Sequence, residues 1–241
     1  MHPIERLRAV ARAREVDQAL LAREAAAVLG SFAGDLPGLV TSCRRLIDRH
    51  PAAGALWWAC ARLLAAGDVR AEARAIERDL RDEPAATALS LDLPDGAVVA
   101  VLPDPAGGSD LRDDLGAWRD DLVVAHGPAA LHARRPEPRV LLVEAGAAGP
   151  GGFLAAEGTA EEMAAARDAG VGVWLVVDVG RRLPGALFEA LVARARLPVP
   201  ASGAGVPPFE VVPAATAQRL VEPRRVDCPV APELLRAPGG W

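Results

Sequence analysis

Residues 139–180 constrain the fold of this chain most strongly, because two apolar runs of strand length flank a glycine-rich loop and a helical segment. The first run, RVLLVEA, contains Glu144, and GAAGPGG follows it as a segment that we expect to lie outside any regular element. Thr159 is the predicted N-cap of the helix, and Glu162 would complete a capping box. The second run is VGVWLVVDV. Continuous apolar runs joined by a helix predict a right-handed βαβ unit in a parallel sheet covered on both faces.

Residues 3 to about 82 have the spacing of amphipathic helices joined by short turns. Asp35 is predicted to cap one of them, with Pro37 in its first turn, and His50-Pro51 and Gly67-Asp68 mark the next boundaries. Short turns between helices favour antiparallel neighbours. We therefore predict a helical N-terminal domain over residues 1–85.

A linker-like stretch between Pro84 and Pro94 separates this bundle from a region of short apolar runs. These runs predict four parallel strands, and Phe209 begins a further predicted edge strand; the four runs are 97–102, 122–125, 140–143 and 173–177. The sequence thus predicts an α/β protein in which a helical bundle precedes a parallel-sheet domain over residues 92–241.

Composition excludes several classes of function. The 241 residues are 51% hydrophobic and 24% charged, which is typical of an ordinary globular protein. The net charge of −5 argues against a nucleic-acid partner, because phosphate binding needs a basic face. All 27 basic residues are Arg, so no lysine is present to form a Schiff base or to hold a phosphate.

The cysteine count and the N-terminus bear on location and cofactors. Cys43, Cys60 and Cys228 are odd in number and widely spaced, which argues against a disulfide framework or a zinc site. The charged start from Glu5 onward has no apolar signal region. No apolar span is long enough to cross a bilayer. We expect a cytoplasmic protein with no metal, no cofactor and no membrane partner.

Polar residues follow the apolar runs where the predicted strands end. In open parallel sheets ligands bind beyond the carboxyl ends of the strands, so these residues would converge on one crevice. One of them, a histidine, titrates near neutral pH and is suited to acid–base work. The candidates for catalysis are Asp104, His126, Glu144 and Asp178. The alternative is that they are solvated turn and cap residues.

The glycine-rich loop predicts a second kind of site, in which backbone amides at a helix start hold a single phosphate. A dinucleotide site fits less well, because Glu144 stands where the first glycine of that motif belongs. Arg181-Arg182 could also meet a phosphate, although solvated arginines are commoner. A plain connector is the alternative. The predicted ligand-binding residues are Gly146, Gly149, Gly152, Gly158 and Thr159.

The central stretch resembles the C-terminal core of the initiation factor 2B alpha/beta/delta subunit family, which includes methylthioribose-1-phosphate and ribose-1,5-bisphosphate isomerases. Gly149-Pro150, Gly152-Phe153 and Gly158-Thr159 match its pattern in place. HPAAGALWWACARLL (50–64) is similar to the family's Arg-Pro-Thr motif, and PPFEVVPAATAQRLVE (207–222) to its tail segment. The resemblance implies a helical N-terminal domain, a Rossmann-like domain of the ribose-5-phosphate isomerase/CoA-transferase type, and a homodimer.

The isomerase chemistry of that family does not carry over. Gly146 stands where the family has its acid–base Asp, and Ala155-Ala156 replaces an Asn-Lys pair. His50 replaces the Arg of Arg-Pro-Thr, and no Cys lies near Asp104 after the first strand of the α/β domain. Two functions stay open: a noncatalytic relative that binds a sugar phosphate, a nucleotide or a protein partner, and an isomerase-like enzyme with a rebuilt site.

Overall fold

Helices form the first part of the chain in the computed structural model, which describes residues 17–82, 85–106, 111–125, 139–197 and 208–235. The predicted cap at Asp35 and the predicted boundary at Gly67-Asp68 are confirmed. The Asp35 carboxylate accepts a hydrogen bond from the amide of Gly38 at 2.9 Å, with Pro37 in the first turn, and Asp68 accepts from two amides at 3.0 Å. The helices are α1 (Gln18–Leu29), α2 (Leu36–Arg49), α3 (Gly54–Ala65) and α4 (Val69–Asp82).

A short helix, α5 (Ala85–Asp92), occupies the stretch that the sequence predicts to be a linker, so that prediction is wrong. Ala85, Leu89 and Leu93 recur every fourth residue and are buried against one face of the sheet. A helix this short is not stable by itself in water, and its packing supplies the stability.

The main sheet has five parallel strands. The four apolar runs that predicted strands all lie in it, and residues 98–102 pair directly with residues 139–143. The fold class is therefore as predicted, a helical part followed by a parallel α/β part. In their order across the sheet, the strands are β2 (Val123–Ala125), β1 (Val98–Leu102), β3 (Arg139–Glu144), β6 (Gly172–Val176) and β8 (Arg219–Val221).

Both faces of this sheet are covered, which explains why its strands are apolar throughout. Along β1, Val98 and Ala100 face one side, and Val99 and Val101 face the other. Helix α7 (Thr159–Asp168) packs on the first side, and α5 with α6 (Leu111–Trp118) packs on the second.

The glycine-rich loop is part of a second sheet, contrary to the expectation that GAAGPGG lies outside any regular element. Strands β4 (Ala147–Ala148) and β5 (Phe153–Ala156) form an antiparallel hairpin. Strand β7 (Phe209–Val212) adds to its far side, so the predicted edge strand exists and lies at the edge of this sheet. The pairing was missed because β5 and β7 are distant in sequence.

The start of α7 also differs from the prediction. Gly158, with φ 88°, is the N-cap, and Thr159 is buried at the first helical position. The amide of Ala160 donates instead to Glu210 Oε1 of β7 at 2.8 Å. The capping box of Thr159 and Glu162 was predicted from nearby sequence alone. The carboxylate that accepts from the amide of Ala160 lies instead on a distant strand. Past the end of the helix, Gly170 takes the left-handed conformation as expected.

The helical part and the α/β part share one core. Helix α8 (Gly185–Ala195) and helix α9 (Pro232–Leu235) bury apolar residues among those of α1 to α4. The amide of Gly54 donates to the carbonyl of Gly146 at 3.1 Å, and Arg44 donates to the carbonyl of Glu233. None of the helices in the described ranges has the length and apolar character that a bilayer span requires.

Candidate functional site

Three of the four residues predicted at the strand ends lie together. Asp104 follows β1, Glu144 ends β3, and Asp178 follows β6, and these strands are adjacent in the sheet. The negative charges of all three raise the pKa of the Arg181 guanidinium. The fourth, His126, lies outside the described residues.

Arg181 occupies the centre of this group. Its Nη1 lies 3.1 Å from Asp104 Oδ2 and 3.7 Å from Glu144 Oε1, and it donates to the carbonyl of Ala145 at 3.0 Å. Its Nη2 lies 3.8 Å from Asp17 Oδ2, at the start of α1. We call these residues the Arg181 cluster: Arg181, Asp17, Asp104, Glu144 and Asp178. The cluster joins the first described helix to three strand ends.

Burial and charge oppose each other at Arg181. Its side chain is 3% exposed, and those of Asp104 and Glu144 are 1% and 5% exposed. Burial alone would lower the pKa of Arg181, but the surrounding carboxylates outweigh it and raise that pKa above its ordinary value. The guanidinium is therefore charged, and it is the counter-charge of carboxylates that would otherwise be buried without one.

A tight turn after β6 places Arg181 over the strand ends. The amide of Arg181 donates to the carbonyl of Asp178 at 3.0 Å, and Gly180 between them has φ 80°. A Cβ atom on Gly180 would lie 3.0 Å from the ring of Trp58. The left-handed turn and this close approach both require glycine. The DVGR segment contains this turn signal, but its arginine by itself does not predict burial, because solvated arginines are commoner.

Asp178 is a carboxylate of the cluster whose pKa is changed by its surroundings. Burial raises its pKa above 3.8, and the positive charge of Arg181 and the amide of Val179, at 2.7 Å from Oδ1, oppose that rise. The negative charge of Asp17 adds to it. Asp178 thus holds its proton more strongly than an exposed aspartate does, which is a property of acid–base groups.

Three of the glycines predicted to bind a ligand, Gly146, Gly149 and Gly152, are packed closely within the β4–β5 hairpin and its neighbours. The amide of Gly146 donates to the carbonyl of Leu154 at 2.8 Å, and that of Gly149 donates to the carbonyl of Gly152 at 2.9 Å. An added Cβ atom would lie 2.6 Å from Phe188 at Gly149 and 2.7 Å from a backbone carbonyl at Gly152. The amides of Gly146 and Gly149 therefore already have acceptors within the hairpin.

A cavity of about 210 Å³ lies beside the start of α7. Gly158 and Thr159 contribute to its wall, together with the end of β1. Three glutamates also line it: Glu157, Glu161 and Glu162. Their negative charge opposes the binding of a phosphate, although the helix start favours an anion.

The cysteines and possible metal ligands show no reactive arrangement within the described ranges. Cys43 and Cys60 are fully buried, and burial, together with a hydrogen bond to Cys60, raises the pKa of the Cys43 thiol. Burial raises the pKa of Cys228 to about 12. Thiols of this kind are poor nucleophiles at neutral pH. The described residues contain no group of three or more His, Cys, Asp or Glu placed to hold a metal ion.

Comparison with solved structures identifies the fold. The chain superimposes on the Pyrococcus horikoshii translation initiation factor eIF-2B with a TM-score of 0.63 and 12% identity, over 91% of this chain and 94% of that chain. The chain has the eIF-2B fold. A second neighbour is 5-methylthioribose 1-phosphate isomerase from Pyrococcus horikoshii, with a TM-score of 0.56 and 15% identity, over 97% of this chain and 85% of that chain.

The tetrameric eIF2B-beta2-delta2 complex from Chaetomium thermophilum also has this fold, with a TM-score of 0.60 and 16% identity, over 91% of this chain and 88% of that chain. No protein-family model and no curated protein matches the sequence. At these identities the comparisons establish the eIF-2B fold, which agrees with the resemblance inferred from residues 139–180, and the site must be argued from its own geometry.

Proposed function

We propose that this chain is a divergent, noncatalytic eIF-2B-like protein of the cytoplasm that acts by binding a protein partner. One observation carries the proposal: the guanidinium of Arg181 fills the carboxyl end of the sheet, where ligands of parallel α/β proteins bind. Asp104 and Glu144 are at most 5% exposed and are held by this internal cation. An enzyme needs such groups within reach of a substrate proton.

The glycine-rich hairpin supports a protein partner over a sugar phosphate or nucleotide. A phosphate site built from backbone amides needs amides that point at the ligand. The amides of Gly146 and Gly149 bond within the hairpin, and that of Ala160 bonds to Glu210. The three glutamates of the neighbouring cavity add negative charge.

A thermal-shift screen of sugar phosphates and nucleotides at millimolar concentration tests this choice. A ligand that binds only the native state raises the melting temperature. We expect no shift. A reproducible shift that is lost in Gly158→Asp would instead favour a phosphorylated ligand at Gly146, Gly149, Gly152, Gly158 and Thr159.

We further propose that the chain forms a homodimer. The sequence resemblance motivates the proposal, and an eIF2B neighbour with the same fold was solved as a tetrameric complex. Exposed apolar side chains on the α/β part, including Trp118 at 58% and Leu220 at 48%, are consistent with a contact surface. Light scattering should give twice the monomer mass of 25.1 kDa at micromolar concentration. A mass of one monomer would contradict it.

The alternative is an isomerase-like enzyme with a rebuilt site, and the raised pKa of Asp178 beside Asp104 and Glu144 is the observation that favours it. The assay is turnover of methylthioribose-1-phosphate or ribose-1,5-bisphosphate by purified protein. We expect none. Turnover that Glu144→Gln or Asp178→Asn reduces at least about a hundredfold, the usual contribution of an acid–base group, would replace our proposal by the enzyme. Glu189→Gln on the exposed face of α8 is the matched control.

A further inference from the structure

Helix α4 carries four exposed arginines along one face: Arg70, Arg74, Arg78 and Arg81. Their spacing of four, four and three residues keeps them on one side of an α-helix. At the rise of a helix they extend over about 16 Å. We call them the arginine row.

Among the described side chains of α4, no carboxylate forms an ion pair with this row. Glu72 Oε1 and Asp79 Oδ2 accept from Arg62 of α3 at 2.5 Å and 2.6 Å, and Asp79 also pairs with Arg224. Glu77 is half-buried and forms no ion pair with any described residue. Within the described part of the chain, no salt bridge involves an arginine of the row.

This arrangement is unfavourable for the isolated helix. Arg70 and Arg74 are four residues apart, as are Arg74 and Arg78, and like charges at that spacing destabilise a helix. A solvated helix of mixed composition usually sets opposite charges at these positions. An anion bound along the row would remove the repulsion, so the row is suited to a negatively charged partner.

We propose that the arginine row docks an acidic helical segment of a partner protein. Carboxylates four residues apart on such a helix match the spacing of the row, and a guanidinium binds a carboxylate through two parallel hydrogen bonds. A nucleic acid fits less well, because the chain has a net charge of −5 and a long polyanion would meet that charge beyond the row. The inference is independent of the proposed function, since the row can dock a partner whether or not the Arg181 cluster is catalytic.

The test is fluorescence anisotropy with the full chain and a labelled helical peptide that carries Glu at every fourth position on one face. We expect saturable binding at low salt that weakens as salt is added. Arg74→Glu/Arg78→Glu should weaken it at least tenfold, and Arg74→Gln/Arg78→Gln should weaken it to a smaller extent. Arg45→Glu/Arg196→Glu, two exposed arginines outside α4, changes the net charge equally and should bind as the wild type does.

Three results would overturn the proposal. The first is no saturable binding of the peptide by the wild type at millimolar concentration. The second is an equal loss in Arg74→Glu/Arg78→Glu and in Arg45→Glu/Arg196→Glu, which would show an effect of net charge alone. The third is tighter binding of single-stranded RNA than of the peptide, which would assign the row to nucleic acid. Circular dichroism of each variant confirms that it is folded, and the Gln variant decides if the Glu variant is not.

Discussion

The Arg181 cluster and the arginine row use the same side chain in opposite environments. Arg181 is 3% exposed and is surrounded by more carboxylates than its single charge can neutralise. The row is exposed, and two of its neighbouring carboxylates, Glu72 and Asp79, are paired with Arg62 and Arg224. A charge buried among counter-charges stabilises the fold and is unavailable to a partner, whereas an exposed charge without a counter-charge adds little to stability and is available.

Removal of Arg181 should have the largest effect. Arg181→Met leaves Asp104 and Glu144 buried without their counter-charge, which should cost about 3–5 kcal/mol of unfolding free energy. The neighbouring Arg182 pairs with Glu222 at a partly exposed site, so Arg182→Met should cost about 1 kcal/mol or less. Urea unfolding at pH 7 measures both. Equal costs would show that the cluster is no more structural than a surface pair.

The contact between Gly54 and Gly146 should give the next largest effect on stability. A Cβ atom at Gly54 would lie 2.5 Å from the carbonyl oxygen of Gly146, where the helical part meets the hairpin. Gly54→Ala should therefore cost about 1–3 kcal/mol, because two backbones must move apart. Gly151→Ala is the control, since open space surrounds that position. A stable Gly54→Ala variant would mean that the two parts are more loosely joined than the contact suggests.

The pH dependence of stability should also distinguish the buried Arg181 cluster from the exposed arginine row. The pKa of Asp178 is raised in the folded protein, so its neutral form is the one that suits the fold. The stability that this gives is fully present below about pH 3.8 and is lost as the pH rises through the folded pKa. The unfolding free energy of the wild type minus that of Asp178→Asn should fall over that window, by about 1.4 kcal/mol for each pH unit that separates the unfolded pKa from the folded pKa.

A pH series of thermal melts on both proteins checks this expectation. A constant difference across the window would show that Asp178 titrates as an exposed aspartate does, and it would weaken the case for an acid–base role.

The smallest effect belongs to the row. Arg74→Glu replaces the like-charge pairs with Arg70 and Arg78 by two opposite-charge pairs. A new like-charge pair with Glu77 offsets part of the gain, so the protein should become more stable by about 0.3 kcal/mol at low salt. The gain should disappear in about 1 M salt, which screens exposed charges. Thermal melts at the two salt concentrations measure it. A loss of stability at low salt would contradict the view that the row is in mutual repulsion.

Local signals explain why much of the fold was predictable. The strands of the main sheet are apolar runs whose length and composition decide their conformation, and residues 97–102 and 140–143 lie in one sheet as predicted. The caps at Asp35 and Asp68 depend on amides within three residues. Asp104, Glu144 and Asp178 were placed together because adjacent parallel strands end at one edge.

The features that were missed depend on contacts between distant residues. Helix α5 is stabilised by the sheet face beneath it, and the hairpin by a strand near the end of the chain. Arg181 becomes buried because carboxylates from three strand ends and from Asp17 surround it. No window of the sequence contains these partners, so the predicted site included the carboxylates and omitted the cation at its centre.

The pairing of the hairpin with β7 also has a consequence for the order in which the protein is made. The amide of Ala160 has its acceptor, the carboxylate of Glu210, only after 50 more residues have been synthesised. Strand β5 likewise has an open edge until β7 emerges. Strand β8, which completes the main sheet beside β6, emerges later still. Open strand edges invite pairing with other chains. A nascent chain halted after α8 would therefore leave the edges of β5 and β6 open, and the segments that follow cover both of them.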